Sequence, residues 1–341
     1  MRKINIGHVG LGRLGKQHAS NIANRLQYAT LKALCDVNEE QLKKLAKEWS
    51  VEKVYTDFDE MIKDEEIEAV SIASPSGFHC KQIEAALKAG KHVFCEKPLG
   101  VTIEECEHIE KLSKEYPKLI IIMPGFMRRF DPSYKQAKEM IDAGKIGKPF
   151  MVRSYSQDPI KDIAGAIAYA PHSGGEFLDM CVHDIDLCRW FLSAEPLEVY
   201  SIGGCYAFDE FAKYNDGDNV SCLMKFEEDK MAFLFAGRTA PHGYNVETEI
   251  IGTEGILRVA NVPQKNLLEI LDNNGVRKEC SQNFLERFEE AYLRELEEFI
   301  LCINEGRQPK LGAKDGAKAA KIAYSCKESF ETKTLVKINK A

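Results

Sequence analysis

Lys3-Ile4-Asn5-Ile6-Gly7-His8-Val9-Gly10-Leu11-Gly12-Arg13-Leu14-Gly15 is the stretch on which the reading of this chain turns. Lys3 to Val9 has the composition of a short strand, and the residues after Gly10 show a helical pattern in Leu14, His18, Ile22 and Leu26. Strand, G-x-G-x-x-G and helix together read as a dinucleotide fingerprint. Gly10 permits the tight turn, Gly12 lets the backbone approach a pyrophosphate, and Gly15 lets the helix pack against the strand with its amino terminus facing the phosphates.

Outward from that loop, Thr30 to Cys35 reads as a second strand ending at Asp36, 21 residues past Gly15. A ribose-binding acid belongs at that distance. Such a carboxylate accepts hydrogen bonds from ribose hydroxyls and repels a 2′-phosphate, and Val37-Asn38 supplies no cation to reverse this, so NAD is expected rather than NADP. Strand and helix alternate again through Ala69–Ala73, a helix to about Ala89, and His92–Cys95. That alternation predicts an α/β fold whose amino-terminal domain is a doubly wound parallel sheet of Rossmann type, with ligand beyond the carboxyl ends of the strands. Ser74, Pro75, His79 and Glu96-Lys97-Pro98 fall at such ends. The proline holds Lys97 extended.

After Pro124 the alternation stops. Strands are expected at Phe150–Gln157, Val199–Cys205, Val220–Phe226, Met231–Gly237, Tyr244–Ile251, Gly255–Val259 and Leu267–Leu271, followed by a long helix over Phe284–Asn304. Grouped strands predict an α+β domain with a large, mostly antiparallel open sheet. The domains are therefore read as 1–124, dinucleotide-binding, and 125–341, for substrate binding and oligomerisation. Met231–Ala236 is apolar on both strand faces, so both should be covered, one of them by a second subunit, giving a dimer or tetramer, with cover entirely within the chain as the alternative.

Gly174-Gly175 opens a predicted helix. Stepping about 100° per residue, Leu178, Cys181, Ile185, Cys188 and Leu192 share one arc, while Asp179, His183, Asp186 and Trp190 share another. Asp179 and His183, four apart, stack one turn over the other, so the carboxylate can orient the ring and stabilise the imidazolium formed when it takes a proton. A solvated helix face with a local ion pair is the plainer alternative.

Composition bounds the partners. The chain has 341 residues, 44% hydrophobic and 29% charged, with a net charge of -7, which speaks against nucleic acid or an anionic membrane as a ligand. No apolar run approaches a membrane span. Eleven cysteines without a C-x-x-C pair read as free thiols of a cytoplasmic protein, and no metal is expected: on the predicted helix Cys181 and Cys188 point away from His183.

Gly10, Gly12, Gly15, Asp36, Glu96-Lys97-Pro98 and Asp179-x-x-x-His183-Asp184-x-Asp186, in this order, resemble the Gfo/Idh/MocA oxidoreductase family. Gly125-Phe126-Met127-Arg128-Arg129-Phe130-Asp131 and Glu249-Ile250-Ile251-Gly252-Thr253-Glu254-Gly255 extend the likeness, which is nearest to the inositol 2-dehydrogenases. The resemblance implies NAD-dependent oxidation of a secondary hydroxyl of a cyclic polyol or sugar, with hydride to nicotinamide and the proton to His183. It implies that Lys97, Asp179 and His183 are catalytic. Gly10, Gly12, Arg13, Leu14, Gly15, Asp36, Ser74, Pro75, His79, Glu96, Lys97 and Arg128 would bind the cofactor, and Lys97, Gln157, Asp179, His183 and Tyr244 the substrate. Ser156 stands where some inositol dehydrogenases carry histidine, a departure that bears on myo-inositol more than on polyols in general. A sugar-processing reaction without net redox change and a non-catalytic NAD-binding sensor are the alternatives, and the sensor has no need of Lys97, Asp179 and His183 together.

Overall fold

The computed structural model describes residues 1–116, 122–260 and 262–338. The chain divides into two compact units, Met1–Phe130 with Glu290–Lys318, and Asp131–Glu289 with Ala319–Ala341. This corrects the single cut at 124. The amino-terminal sheet needs cover on both faces, and residues from the far end of the chain return to supply part of it.

In the first unit, β1 (Ile4–Val9), β2 (Ala29–Cys35), β3 (Lys53–Tyr55), β4 (Ala69–Ile72), β5 (His92–Glu96) and β6 (Ile122–Gly125) form a parallel sheet in the order β3-β2-β1-β4-β5-β6. The order reverses direction beside β1, which puts the ligand crevice at its carboxyl end. Helices α1 (Arg13–Asn24), α2 (Glu39–Glu48), α3 (Phe58–Met61), α4 (His79–Lys88) and α5 (Ile103–Glu115) connect the strands. Two apolar clusters flank the sheet: one joins Ile4, Ile6 and Leu31 to Leu296, Phe299 and Ile300, the other joins Val9, Val70 and Ile72 to Ile83 and Ile109.

The second unit begins with α6 (Pro132–Asp142), whose cap Asp131 accepts from Ser133 N and Tyr134 N and pairs with Arg287 at 2.7 Å. Then come β7 (Pro149–Pro159), α7 (Ile163–Tyr169), α8 (Val182–Leu192), β8 (Pro196–Gly204), β9 (Asn219–Phe226), β10 (Met231–Ala240), β11 (Asn245–Gly252) and β12 (Ile256–Val259). With the short β15 (Val336–Lys337) these strands form a seven-stranded sheet, β12-β11-β7-β10-β9-β8-β15, antiparallel except for β7 against β10.

One expectation changes here. Leu267–Leu271 lies in β13 (Gln264–Asp272), which pairs only with β14 (Gly275–Cys280) in a separate hairpin and not with the large sheet. Residues 160–172, left open by the sequence, are α7 between two short 3-10 turns. Within the chain β10 is covered on one face: Ala232, Leu234 and Ala236 are buried, while Met231 is 44% exposed and Phe233 and Phe235 are half-buried. Helices α9 (Phe284–Glu305) and α10 (Ala313–Thr332) each run from one unit into the other's range of sequence.

Candidate active site

The glycine loop is built as its sequence requires. Gly10 has φ +92, and a Cβ there would meet Ala73 O at 2.4 Å; a Cβ on Gly15 would meet Gly10 O at 1.9 Å. A Cβ on Gly12 would meet nothing within 4 Å. Gly12 caps α1 without any side-chain hydrogen bond to the first turn, a helix start of the kind that suits a pyrophosphate. Arg13 is exposed there and Leu14 half-buried.

Asp36 is already engaged with the loop. Its Oδ2 accepts from Leu11 N at 2.6 Å and its Oδ1 from Asn38 N at 2.8 Å. An ionised carboxylate has about four acceptor positions, so it holds the loop and still has capacity for ribose hydroxyls. His8, which the sequence did not single out, supports the loop from beneath. Its Nε2 donates to Gly10 O at 2.9 Å and its Nδ1 meets Ser71 Oγ at 3.0 Å. Burial, with a smaller contribution from His18, pushes its pKa down to about 3, so the ring is neutral, as one donated N–H requires.

Two of the expected cofactor ligands turn inward. His79 is 1% exposed, its Nδ1 2.7 Å from Pro98 O and its Nε2 2.8 Å from Ser74 O. Burial lowers its pKa, opposed by the two carbonyls, which both call for a ring N–H donor. It clips the loop after β4 to the segment after Lys97 and is not placed to touch a ligand itself. Glu96 is likewise buried: Oε1 takes the 2.7 Å hydrogen bond of His18 Nε2, and Oε2 accepts from Lys97 N at 3.2 Å. Both side chains are taken up by partners within the chain, His79 at the start of α4 by two carbonyls and Glu96 at the end of β5 by His18 and the Lys97 N–H. Lys97 is half-buried before a cis Pro98, Ser74 Oγ donates to Gln82 at 2.6 Å, Pro75 is exposed, and Arg128 is buried in a 3-10 turn after β6.

His18, Glu96 and Glu295 bring donor atoms within 4.8 Å of one another, the grouping among the described residues that could hold a metal. Burial and the neighbouring Glu96 push the Glu295 carboxyl well above the usual range, so a proton on Glu295 also balances the charge.

In the second unit, the predicted helix is not one continuous α-helix. Phe177–Cys181 forms a π-helical turn before α8, a feature that recurs at functional sites. Gly174 (φ +76) and Gly175 (φ +97) start it, and Asp216 accepts from Glu176 N with both oxygens, at 3.0 and 3.1 Å. Nor is its polar side solvated: His183 is 8% exposed and Asp184 and Asp186 1%. Asp184, which the reading left without a role, accepts from Ser154 Oγ at 2.5 Å and Ser156 Oγ at 2.7 Å. Ser154 continues to Thr248 and Thr248 to Tyr134. This buried chain straps α8 to the sheet, so the Ser156 hydroxyl serves the scaffold.

Asp179 has a partner that no local pattern announced, Arg238 on β10, whose Nη2 donates to Oδ2 at 2.7 Å. Gln157 lies on β7 opposite Asn245 and Gly237. Tyr244 is buried edge-on against Phe288, with ring centroids 6.3 Å apart. Trp190 packs on Phe191 and belongs to the packing. The geometry thus gives one unit a dinucleotide cradle with a lysine at a strand end, and the other an acid on a π turn, bonded to an arginine, and a buried imidazole on the helix that follows.

Comparison with known proteins agrees with both halves. The family described as "Oxidoreductase family, NAD-binding Rossmann fold" matches residues 4–123, and the "GFO/IDH/MocA C-terminal domain" matches 134–258. The chain is 35% identical to myo-inositol 2-dehydrogenase of Thermotoga maritima, covering 98% of each. It is 34% identical to scyllo-inositol 2-dehydrogenase (NAD(+)) of Bacillus subtilis, over 94% of this chain and 92% of the relative. Scyllo-inositol dehydrogenase from Lactobacillus casei, solved with bound NAD(H) and scyllo-inositol, superposes with a TM-score of 0.95 at 46% identity over 99% of both chains.

Proposed function

Because the chain belongs to the Gfo/Idh/MocA family of oxidoreductases, we propose that it is an NAD-dependent dehydrogenase of an inositol, with Lys97, Asp179 and His183 as the reacting groups. The observation that carries the substrate is the likeness, along the whole chain, to an enzyme solved with NAD(H) and scyllo-inositol.

The residues present fit NAD. The uncapped start of α1 and the open space at Gly12 suit a pyrophosphate, and Asp36 beside exposed Val37 suits an unphosphorylated ribose. NAD, when bound, supplies the acceptor for the hydrogen removed from carbon. The chain supplies the proton path and the geometry. His183 Nε2 or Nδ1 takes the hydroxyl proton, Asp179 orients the ring and stabilises its charged form, and the Lys97 ammonium holds the reacting oxygen and stabilises the negative charge that develops on it. Gln157 and Tyr244 bind the remaining hydroxyls.

The second unit also supports a homo-oligomer. Tyr200, Leu223 and Phe233 lie side by side across β8, β9 and β10, and the next row of the same outward face runs Ile202, Ser221, Phe235 and Tyr155. Tyr200, Ile202 and Leu223 are exposed, and an apolar row of this kind suits a second copy. No described helix is long and apolar enough to cross a membrane. Eleven free cysteines, all but Cys205 buried, suit a reducing cytoplasm.

The test is NADH absorbance with scyllo-inositol, myo-inositol and simple sugars. NADH formed with an inositol supports the reading. Product formed without accumulating NADH points to a redox-neutral reaction, and binding of NAD with no turnover of any polyol points to a sensor.

A further inference from the structure

Arg238 lies near the end of β10, on the inward face with Leu234 and Ala236, where the register with β7 breaks between Gly237 and Ala240. Its backbone N donates to Asp218 O at 2.9 Å, and its guanidinium sits 5.8 Å from the centre of the Phe211 ring. The side chain is buried among acids. Nη2 donates to Asp179 at 2.7 Å, Nε lies 2.6 Å from Glu176 Oε2, and Nη1 lies 3.6 Å from Asp158 Oδ2.

One cation cannot neutralise three carboxylates. Burial, together with Asp216, Asp179 and Asp158, pushes the Glu176 carboxyl well above the usual range, so Glu176 takes a proton first. The acids around Arg238 hold it firmly charged. Its charge is then shared between Asp158 and Asp179, and of these two the hydrogen-bonded carboxylate is that of Asp179.

We infer that Arg238 is the positioning residue of the proton-transfer pair: it fixes the Asp179 carboxylate in one orientation and tempers how strongly that carboxylate draws a proton onto His183. The identity of the pair rests on the proposed function. A carboxylate alone raises the pKa of a neighbouring imidazole, which would leave the base charged and useless over more of the pH range. A guanidinium hydrogen-bonded to the carboxylate opposes that rise, and its planar fork fixes direction as well as charge. The titratable groups around the turn are Asp158 on β7, Glu176 just before the turn, Asp179 within it, Asp184 on α8, Asp216 before β9, and Lys327 on α10, whose Nζ donates to Gly174 O at 3.4 Å.

The experiment is a titration of the His183 ring by NMR in protein carrying ¹⁵N-histidine, with H183A identifying its signal. In R238M the midpoint should rise by about one pH unit, the effect of removing the unit charge bonded to the Asp179 carboxylate at an intermediate effective dielectric. R238K keeps the charge, so its midpoint should stay near wild type, while kcat on the substrate falls about tenfold with KM unchanged, because an ammonium lacks the fork. A wild-type midpoint in R238M, or a wild-type kcat in R238K, overturns the inference. R238Q serves the same comparison if R238M does not fold. The titration needs no substrate, so a failure to oxidise any inositol would sink the proposed function and leave the role of Arg238 to be decided by the ring itself.

Discussion

At the scale of single residues, His183 must be neutral to accept the hydroxyl proton, so the oxidation rate should fall as pH drops through its pKa. Asp179→Asn should move that inflection to lower pH and slow the reaction, since an amide can hold the ring but not stabilise its charge. His183→Ala should abolish the inflection and leave NAD affinity nearly intact, because the cradle belongs to the other unit. Wild-type inflections in both variants, with a substrate deuterium isotope effect to show that chemistry is being observed, would move the proton path to another group. Asp36 should govern cofactor choice: NAD is preferred over NADP, and Asp36→Ala with Val37→Arg should narrow or reverse the ratio of kcat/KM for the two. His8 carries a stability prediction. Its pKa, near 6.5 unfolded, is about 3 folded, so the unfolded chain binds the extra proton and stability falls as pH drops below 6.5 toward 3. Between pH 7 and 5 this one group costs about 2 kcal/mol. Urea unfolding of wild type and His8→Gln at the two pH values measures it, with the variant expected to lose correspondingly less. The glycines and Asp36 could be read from spacing alone. His8 could not, because a histidine inside an apolar strand carries no mark of what its ring will meet.

At the scale of elements, the glycine loop and the start of α1 act as one device, and its two inner glycines should fail differently. Gly12 has ordinary backbone angles (φ -66) and open space beyond its Cα, so Gly12→Ala should fold with a Tm close to wild type and bind NAD more weakly by at least tenfold, the added methyl displacing the pyrophosphate. Gly15→Ala would place a methyl 1.9 Å from Gly10 O and should cost stability directly, by about 2 kcal/mol or more. Thermal unfolding and NAD titration of the pair separate the roles. If Gly12→Ala bound NAD as wild type does, the pyrophosphate would not lie over that turn. The helix after Gly174-Gly175 teaches the complementary lesson. Its existence was legible in the period of its apolar residues, but a π turn differs from an α turn by a single residue, and the hydrophobic pattern of Leu178, Cys181 and Ile185 does not register it.

At the scale of the whole molecule, the seven-stranded sheet is helix-covered on one face and carries Tyr200, Ile202, Leu223 and Met231 exposed on the other. Size-exclusion chromatography with light scattering should give a mass at least twice that of one chain. Leu223→Glu, with a charge at 59% exposure in the single chain, should lower that mass and leave the fold intact by circular dichroism. A wild-type monomer at micromolar concentration would remove the assembly. The division of the chain was the part of the global reading that changed most. A run of strands ending in helices gives no hint that residues 290–318 belong with the amino-terminal unit, because amphipathic helices show that a face is buried without saying against what.

The sequence by itself determined the doubly wound sheet, the strand-rich second half, the dinucleotide loop and the likeness to a family of oxidoreductases. Each of these rests on short-range constraints: a glycine where φ is positive or backbones touch, an acid at a set distance from it, a period of two or of 3.6 residues. Only the tertiary structure decided that His79 and Glu96 face inward and that Asp184 is tied to Ser154 and Ser156 from 30 and 28 residues away. It alone paired Asp179 with Arg238 across 59 residues. Such pairs form because a buried charge must find a partner wherever the packed chain brings one, and nothing in the local pattern of either residue records which partner that is.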